Sequence, residues 1–329
     1  MSSNAKLNNA FDYIVKASIY DQYPLDWQDI FGNDQPLTVE IGFGNGEYTL
    51  ELARKHKERN FVGFETSQSS VSKTLRRMYK EGLTNVRIVM TDGRFGLRNL
   101  FEDESLDCVI LNFPTPWSKG RHFRRRVAVP DFFRTLQMVL APNGRLELAT
   151  DVLNYAVDVY KMSKSMGFNP EEMVINGPRE IMTRFERKWR HYERNIHTLI
   201  VYRGNYEKSD RLLERSVVMP HQKLSEKEAS PENLYNGLNQ SKKSRMENEI
   251  CVFKAVYEGK NKQSYLIKTI SIDMYDHGEG EFEQHYFIDV YKNKLEWTIK
   301  CDTISRPFIT PAVKFSILSL AEILKKPVR

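Results

Sequence analysis

Three glycines at alternate positions, in Glu40-Ile-Gly42-Phe-Gly44-Asn-Gly46, stand where the apolar run LTVEIGF (37–43) gives way to a helical pattern. Glycine in such a turn adopts positive φ without steric cost and lets backbone approach a ligand closely. The dinucleotide fingerprint needs Gly-x-Gly-x-x-Gly, and Glu47 occupies the place of its third glycine, so the turn does not fit a nicotinamide cofactor. Glu65 and Asp92 end the next two apolar runs, NFVGFE and NVRIVMTD. A carboxylate ending the second strand can accept both ribose hydroxyls. Acids at three successive strand ends, Glu40, Glu65 and Asp92, would gather at one sheet edge and suit a nucleoside.

Further on, Asn112-Phe113-Pro114-Thr115-Pro116-Trp117-Ser118-Lys119 runs into Gly120-Arg121-His122-Phe123-Arg124-Arg125-Arg126. A second basic run, Arg184, Arg187, Lys188, Arg190, His191 and Arg194, is interleaved with Phe185, Trp189 and Tyr192. The net charge of +6 says little until its distribution is known, and here charge and aromatic rings coincide. Cations grip phosphates, and rings or guanidinium planes stack on splayed bases. The alternatives are a solvated charged loop for the arginines and core packing for Trp117 and Phe185.

The elements that must hold these residues alternate. Between about residues 37 and 203, strand-like runs are separated by helical patterns through YTLELARKH, VSKTLRRMYKEG and Val152–Met166, the signature of a parallel sheet with crossover helices. LDCVILNF (106–113) is the fourth strand, DFFRTLQMVLAPNG a helix with a Pro/Gly stop, and RLELATD (145–151) the fifth strand. MVIN and IHTLIVYR would close the sheet. The predicted fold is α/β, a Rossmann-like sheet with helices on both faces.

At 329 residues the chain exceeds the roughly 250 to 300 at which one core stops growing, so two domains are expected. Residues 1–36 form an N-terminal segment, and 206–246 read as a polar linker with one marginal helix. Residues 247–329 carry four alternating runs, ICVFKAVY, SYLIKTISI, HYFIDVY and LEWTIKC, then the helical PAVKFSILSLAEILKK, which predicts a small α+β domain of four antiparallel strands and a helix. Cys108, Cys251 and Cys301 are widely spaced in apolar runs and read as buried thiols. The piece Asp276-His277-Gly278-Glu279-Gly280-Glu281 reads as a hairpin loop, and no metal site is assigned. No run reaches the apolar length of a membrane span and the start is polar, so a cytoplasmic protein is expected.

The segment from Asn112 to Arg126 resembles the hallmark of the bacterial tRNA (guanine-N7-)-methyltransferase family, Phe-Pro-Asp-Pro-Trp-x-Lys running into Arg-His and a basic cluster. Thr150-Asp151 and Thr183-Arg184-Phe185-Glu186 match as well, and the resemblance covers roughly residues 37–203. It implies a class I methyltransferase domain over 37–205 that uses S-adenosylmethionine and acts on tRNA, in its variable loop; with the complete motif set on one chain, no obligatory protein partner is expected. By the same resemblance Glu40, Gly42, Gly44, Gly46, Glu65, Asp92, Asn112 and Thr115 fall at the cofactor. Lys119, Arg121, His122, Arg124, Arg125, Asp151, Thr183, Arg184, Phe185 and Glu186 fall at the guanine and its phosphates, with Thr115 and Asp151 nearest the chemistry. Thr115 stands where the family usually has Asp. A non-catalytic RNA-binding protein on the same fold is the competing expectation.

Overall fold

A computed structural model describes residues 9–275 and 280–325. The chain divides into two compact units, one of Met1–Ala17 and Pro24–Arg211, the other of Ser18–Tyr23 and Leu212–Arg329. The first unit contains, in order, α1 (Trp27–Phe31), β1 (Leu37–Ile41), α2 (Glu47–Lys55), β2 (Asn60–Phe64), α3 (Gln68–Glu81), β3 (Val86–Val89), α4 (Gly93–Leu100) and β4 (Leu106–Asn112). Then come α5 (Pro130–Val139), β5 (Leu140–Thr150), α6 (Leu153–Ser165), β6 (Asn169–Pro170), β7 (Val174–Ile175), α7 (Arg184–His191) and β8 (His197–Tyr202).

The sheet order is β3-β2-β1-β4-β5-β8-β6, with β7 also on β8. Strands β1 to β5 run parallel and β8 is antiparallel to β5. All residues of β2 and β3 are buried, as strands covered on both faces require, which is why they read as continuous apolar runs. Strand order reverses between β1 and β4, so the loops leaving these two strands diverge and open a crevice at their carboxyl ends.

One boundary differs from the sequence reading. α5 stops at Val139 and β5 already begins at Leu140, while the β4–β5 register jumps from Leu106 opposite Leu140 to Cys108 opposite Arg145. The Pro142-Asn143-Gly144 piece is absorbed by this irregularity. A Cβ on Gly144 would lie 2.7 Å from the Leu106 carbonyl oxygen, so glycine here permits close backbone approach rather than only ending a helix.

The second unit holds β9 (His221–Ser225), β10 (Ser241–Lys243), β11 (Glu249–Glu258), β12 (Ser264–Met274), β13 (Glu281–Asn293), β14 (Glu296–Cys301) and α8 (Pro311–Leu324). They form an antiparallel sheet in the order β10-β11-β12-β13-β14-β9. Phe253, Ile267, Tyr286 and Ile288 pack with Val313, Ile317 and Leu320 of α8 in its core. The four expected strands and the helix are present, but 206–246 is more than a linker: it supplies the edge strands β9 and β10 and a 3-10 turn over Pro231–Gly237. These edges are held chiefly by backbone pairing. HQKLS buries only Leu224 and SKK buries nothing, so neither carries an alternating apolar signal. The three cysteines are free and buried. Residues 276–279 of the acidic piece lie outside the described residues.

Candidate active site

In the turn from β1 to α2 two of the three glycines leave open space, whereas Gly46, with φ of +69°, is close-packed: a Cβ there would clash with the Thr74 side chain. Gly42 and Gly44 have φ of +71° and +55°, and a Cβ on either would meet nothing within 4 Å. Open space therefore lies against this backbone. Beside it, Glu65 leaves the end of β2 with Oε2 accepting from the Gly44 N–H (3.0 Å) and Oε1 from the N–H groups of Thr66 and Ser67 (2.8 and 2.9 Å). Asp92, after β3, caps α4 by accepting from the Arg94 and Phe95 N–H groups at 2.9 and 3.0 Å. Backbone donors thus fix both carboxylates, that of Glu65 directly against the open turn.

Glu40 is placed differently from the expectation of a ligand-facing acid. It is only 4% exposed, and its two oxygens accept from the Thr49 hydroxyl and from Asn112 Nδ2, the latter at 2.8 Å. Burial raises its pKa, opposed by the Thr49 and Asn112 hydrogen bonds and the Arg179 charge. Asn112 Oδ1 in turn accepts from Arg179 Nη2 (2.5 Å), and Arg179 Nη1 donates to Glu186 (2.6 Å). The carboxylate of Glu186 also accepts from Arg190 Nη2 at 2.8 Å. Glu40, Asn112 and Glu186 are therefore links of one buried polar chain joining β1, β4 and α7.

Arg179 is a residue that sequence reasoning missed, since a single arginine in Pro178-Arg179-Glu180, just before the basic run, has no distinguishing spacing. Its guanidinium also packs against Tyr48, 5.1 Å from the ring centroid. With Asn112 and Tyr48 it lines a cavity of about 420 Å³ over β1, β4, β5 and β8. Glu47, which stands where the dinucleotide fingerprint has its third glycine, has a structural role that the spacing does not reveal. It accepts from the Arg184 N–H (2.6 Å) and Arg187 Nη2 (2.5 Å), clasping the start of α7. Burial opposes its ionisation, but the Arg184 N–H and the Arg187 guanidinium outweigh that and hold the carboxyl below its ordinary range.

The loop leaving β4 is bent at two points. Phe113 and Trp117 have φ of +49° and +40°, left-handed values that cost non-glycine residues on the order of 1–3 kcal/mol each and mark segments held in place by their surroundings. Between them Thr115 is exposed. A 3-10 turn over Gly120–Arg125 follows, in which Arg121 Nε lies 3.1 Å from His122 Nε2 and Arg125 lies over the Trp117 ring at 5.2 Å. Lys119, Arg121, Arg124 and Arg125 are exposed. Arg126 is the exception: buried, it donates to the Pro116 carbonyl (2.7 Å) and Asp158 (2.8 Å) and stacks on Phe123.

Asp151, after β5, pairs with Arg194 at 2.7 Å, and Arg194 lies over Trp189. Thr183 caps α7 through its hydroxyl, which accepts from the Glu186 N–H at 3.2 Å. Phe185 is 59% exposed and so does not belong to the core.

The parallel sheet closed by an antiparallel strand, the open glycine turn and the strand-end acids define a class I S-adenosylmethionine-dependent methyltransferase. A protein-family profile described as "Putative methyltransferase" matches residues 34–199. A tRNA (guanine-N(7)-)-methyltransferase of Thermotoga maritima is 38% identical over 312 residues, 94% of this chain and 96% of the relative. One of Thermus thermophilus is 31% identical, covering 95% of this chain and 96% of the relative. Among solved structures, that of the 16S rRNA methyltransferase KamB aligns with a TM-score of 0.41 at 14% identity, covering 52% of this chain and 88% of that one. The chain belongs to the tRNA (guanine-N(7)-)-methyltransferase family.

Proposed function

We propose that this chain methylates N7 of a guanine in the variable loop of tRNA, by direct displacement, acting in the cytoplasm without a protein partner. The observation that carries this reading is that the loop leaving β4 bears an exposed arginine and aromatic surface at the same sheet edge as the open glycine turn with Glu65 and Asp92. The glycine turn, Glu65 and Asp92 are the groups to hold S-adenosylmethionine, which supplies a methyl on a sulfonium sulfur. Guanine N7 has an exposed lone pair, so no proton need be removed before it attacks. The protein's task is alignment, which can lower a barrier by about 7–11 kcal/mol without acid or base.

Lys119, Arg121, His122, Arg124, Arg125 and Arg184 supply the phosphate grip, and Phe185 and Trp117 offer rings for a splayed base. Thr115 and Asp151 flank the reacting atoms in this reading, the carboxylate favouring the positive charge that develops on the methylated base. Glu40, Asn112 and Glu186 serve by fixing β1, β4 and α7 relative to one another. The test is incubation with labelled S-adenosylmethionine and total tRNA, followed by chemical cleavage at 7-methylguanosine. Label in the tRNA with scission at one guanine supports the reading. Tight tRNA binding without transfer would support a non-catalytic RNA-binding protein instead.

A further inference from the structure

The sheet of the second unit has two unlike faces. Cys251, Phe253, Ile267 and Ile288 point to α8 and are buried, whereas among the described residues none on the opposite face is buried. At one end of that open face lie three rings and three lysines. Tyr257 is 53% exposed, with its ring edge-on to Phe287 at a centroid distance of 6.3 Å. Lys268 stands between them in the ladder, opposite Ala255 on one side and Phe287 on the other. Lys254 occupies the register shift between Phe253 and Ala255, and Lys300 Nζ lies over the Tyr291 ring at 5.4 Å. The carboxylates nearby are Asp289, cross-strand from Lys300, and Asp302, whose N–H donates to the Phe287 carbonyl; Glu281 and Glu283 lie at the far end of β13. Lys254 and Lys268 form no ion pair among the described residues.

We propose that this face is a platform for unpaired nucleotides of the RNA substrate, with bases stacking on Tyr257, Phe287 and Tyr291 and phosphates meeting Lys254, Lys268 and Lys300. The proposal rests on the tRNA reading above. A protein partner covering these rings would bury unpaired ammonium groups at high cost, and a second copy docked face to face would set lysine against lysine. A nucleic-acid strand brings an anion for each lysine, and any base offers a π-face to a ring.

The test uses the full-length protein and a tRNA transcript, with Tyr257→Ala, Lys268→Ala and the conservative Tyr257→Phe. Tyr257→Ala is expected to weaken tRNA binding by about 5- to 150-fold and Tyr257→Phe to retain it. Lys268→Ala should flatten the log–log salt dependence of binding by about 0.7–0.9. In both alanine variants KM should rise with kcat and S-adenosylhomocysteine affinity retained. Losses below about threefold with an unchanged salt slope, in a background where wild type binds and methylates tRNA, overturn the platform and leave the catalytic reading standing. Variants that dissociate a wild-type dimer in sedimentation while binding tRNA normally also overturn it, in favour of a second copy. A wild type that neither binds nor methylates tRNA removes both readings together.

Discussion

Arg179 and Glu186 form an ion pair at 2.6 Å in which the Glu186 side chain has no exposure and that of Arg179 is 8% exposed. The same guanidinium reaches Asn112 Oδ1, and Asn112 reaches Glu40. A residue on the loop before α7 is thereby tied to the strand that leads into the glycine turn.

Arg179→Ala would leave Glu186 with Arg190 and deprive Asn112 of its donor. Breaking a buried pair costs about 3–5 kcal/mol, and with Arg190 still bonded the loss expected in urea unfolding is about 2–3 kcal/mol. Arg179→Lys keeps charge but not the fork that serves two acceptors, so it should fall between. An unfolding midpoint unchanged in Arg179→Ala would mean that the chain of hydrogen bonds does not hold α7.

Neighbouring arginines should separate by burial. Arg121, Arg124 and Arg125 are exposed, so their triple alanine variant should fold normally and lose up to about one unit of salt slope per phosphate contact removed, with cofactor affinity retained. Arg126→Ala removes bonds to Pro116 and Asp158 and should lower thermal stability instead. Equal stability loss in the two proteins would contradict this division.

Asp273 gives a pH signature in the second unit. It is 2% exposed, and burial pushes its pKa up to about 6 against the pull of Thr310 and the Ala312 N–H at the start of α8. A raised carboxyl binds its proton more tightly in the folded state, so its contribution to stability declines as pH rises from its unfolded value of 3.8 through about 6. Relative to wild type, Asp273→Asn should therefore gain about 2–3 kcal/mol in unfolding free energy between about pH 3.5 and pH 8. Parallel stability curves would show that Asp273 does not titrate this way.

Thr115 and Asp151 should differ in sensitivity. If the exposed Thr115 hydroxyl orients cofactor or guanine, Thr115→Val removes a hydrogen bond worth about 0.5–1.5 kcal/mol net, a loss of roughly 2- to 13-fold in kcat/KM. Asp151→Asn removes a charge partnered with Arg194 and should cost more, since charged hydrogen bonds are worth about 1.5–3 kcal/mol. Abolition of transfer by Thr115→Val, with tRNA and cofactor still bound, would assign Thr115 a role in the chemistry itself.

The first unit was legible because its signals are local. Apolar runs in β1 to β4 and the glycines at 42 and 44 announce a strand and an open turn within a few residues. The partners of those residues were not legible. Arg179 meets Asn112 across 67 residues, and Glu47 meets Arg187 across 140, so no spacing rule connects them. The same limit hid β9 and β10, whose places at the sheet edges depend on backbone pairing with β14 and β11 rather than on an apolar period.

Whether guanine N7 is the methyl acceptor is tested by one substitution in the substrate. Two tRNA transcripts would be compared with labelled S-adenosylmethionine, one unmodified and one carrying 7-deazaguanosine, which lacks N7, at the guanine where chemical cleavage locates the methyl group. Label is expected in the first and none in the second. Equal labelling of both would contradict N7 as the acceptor.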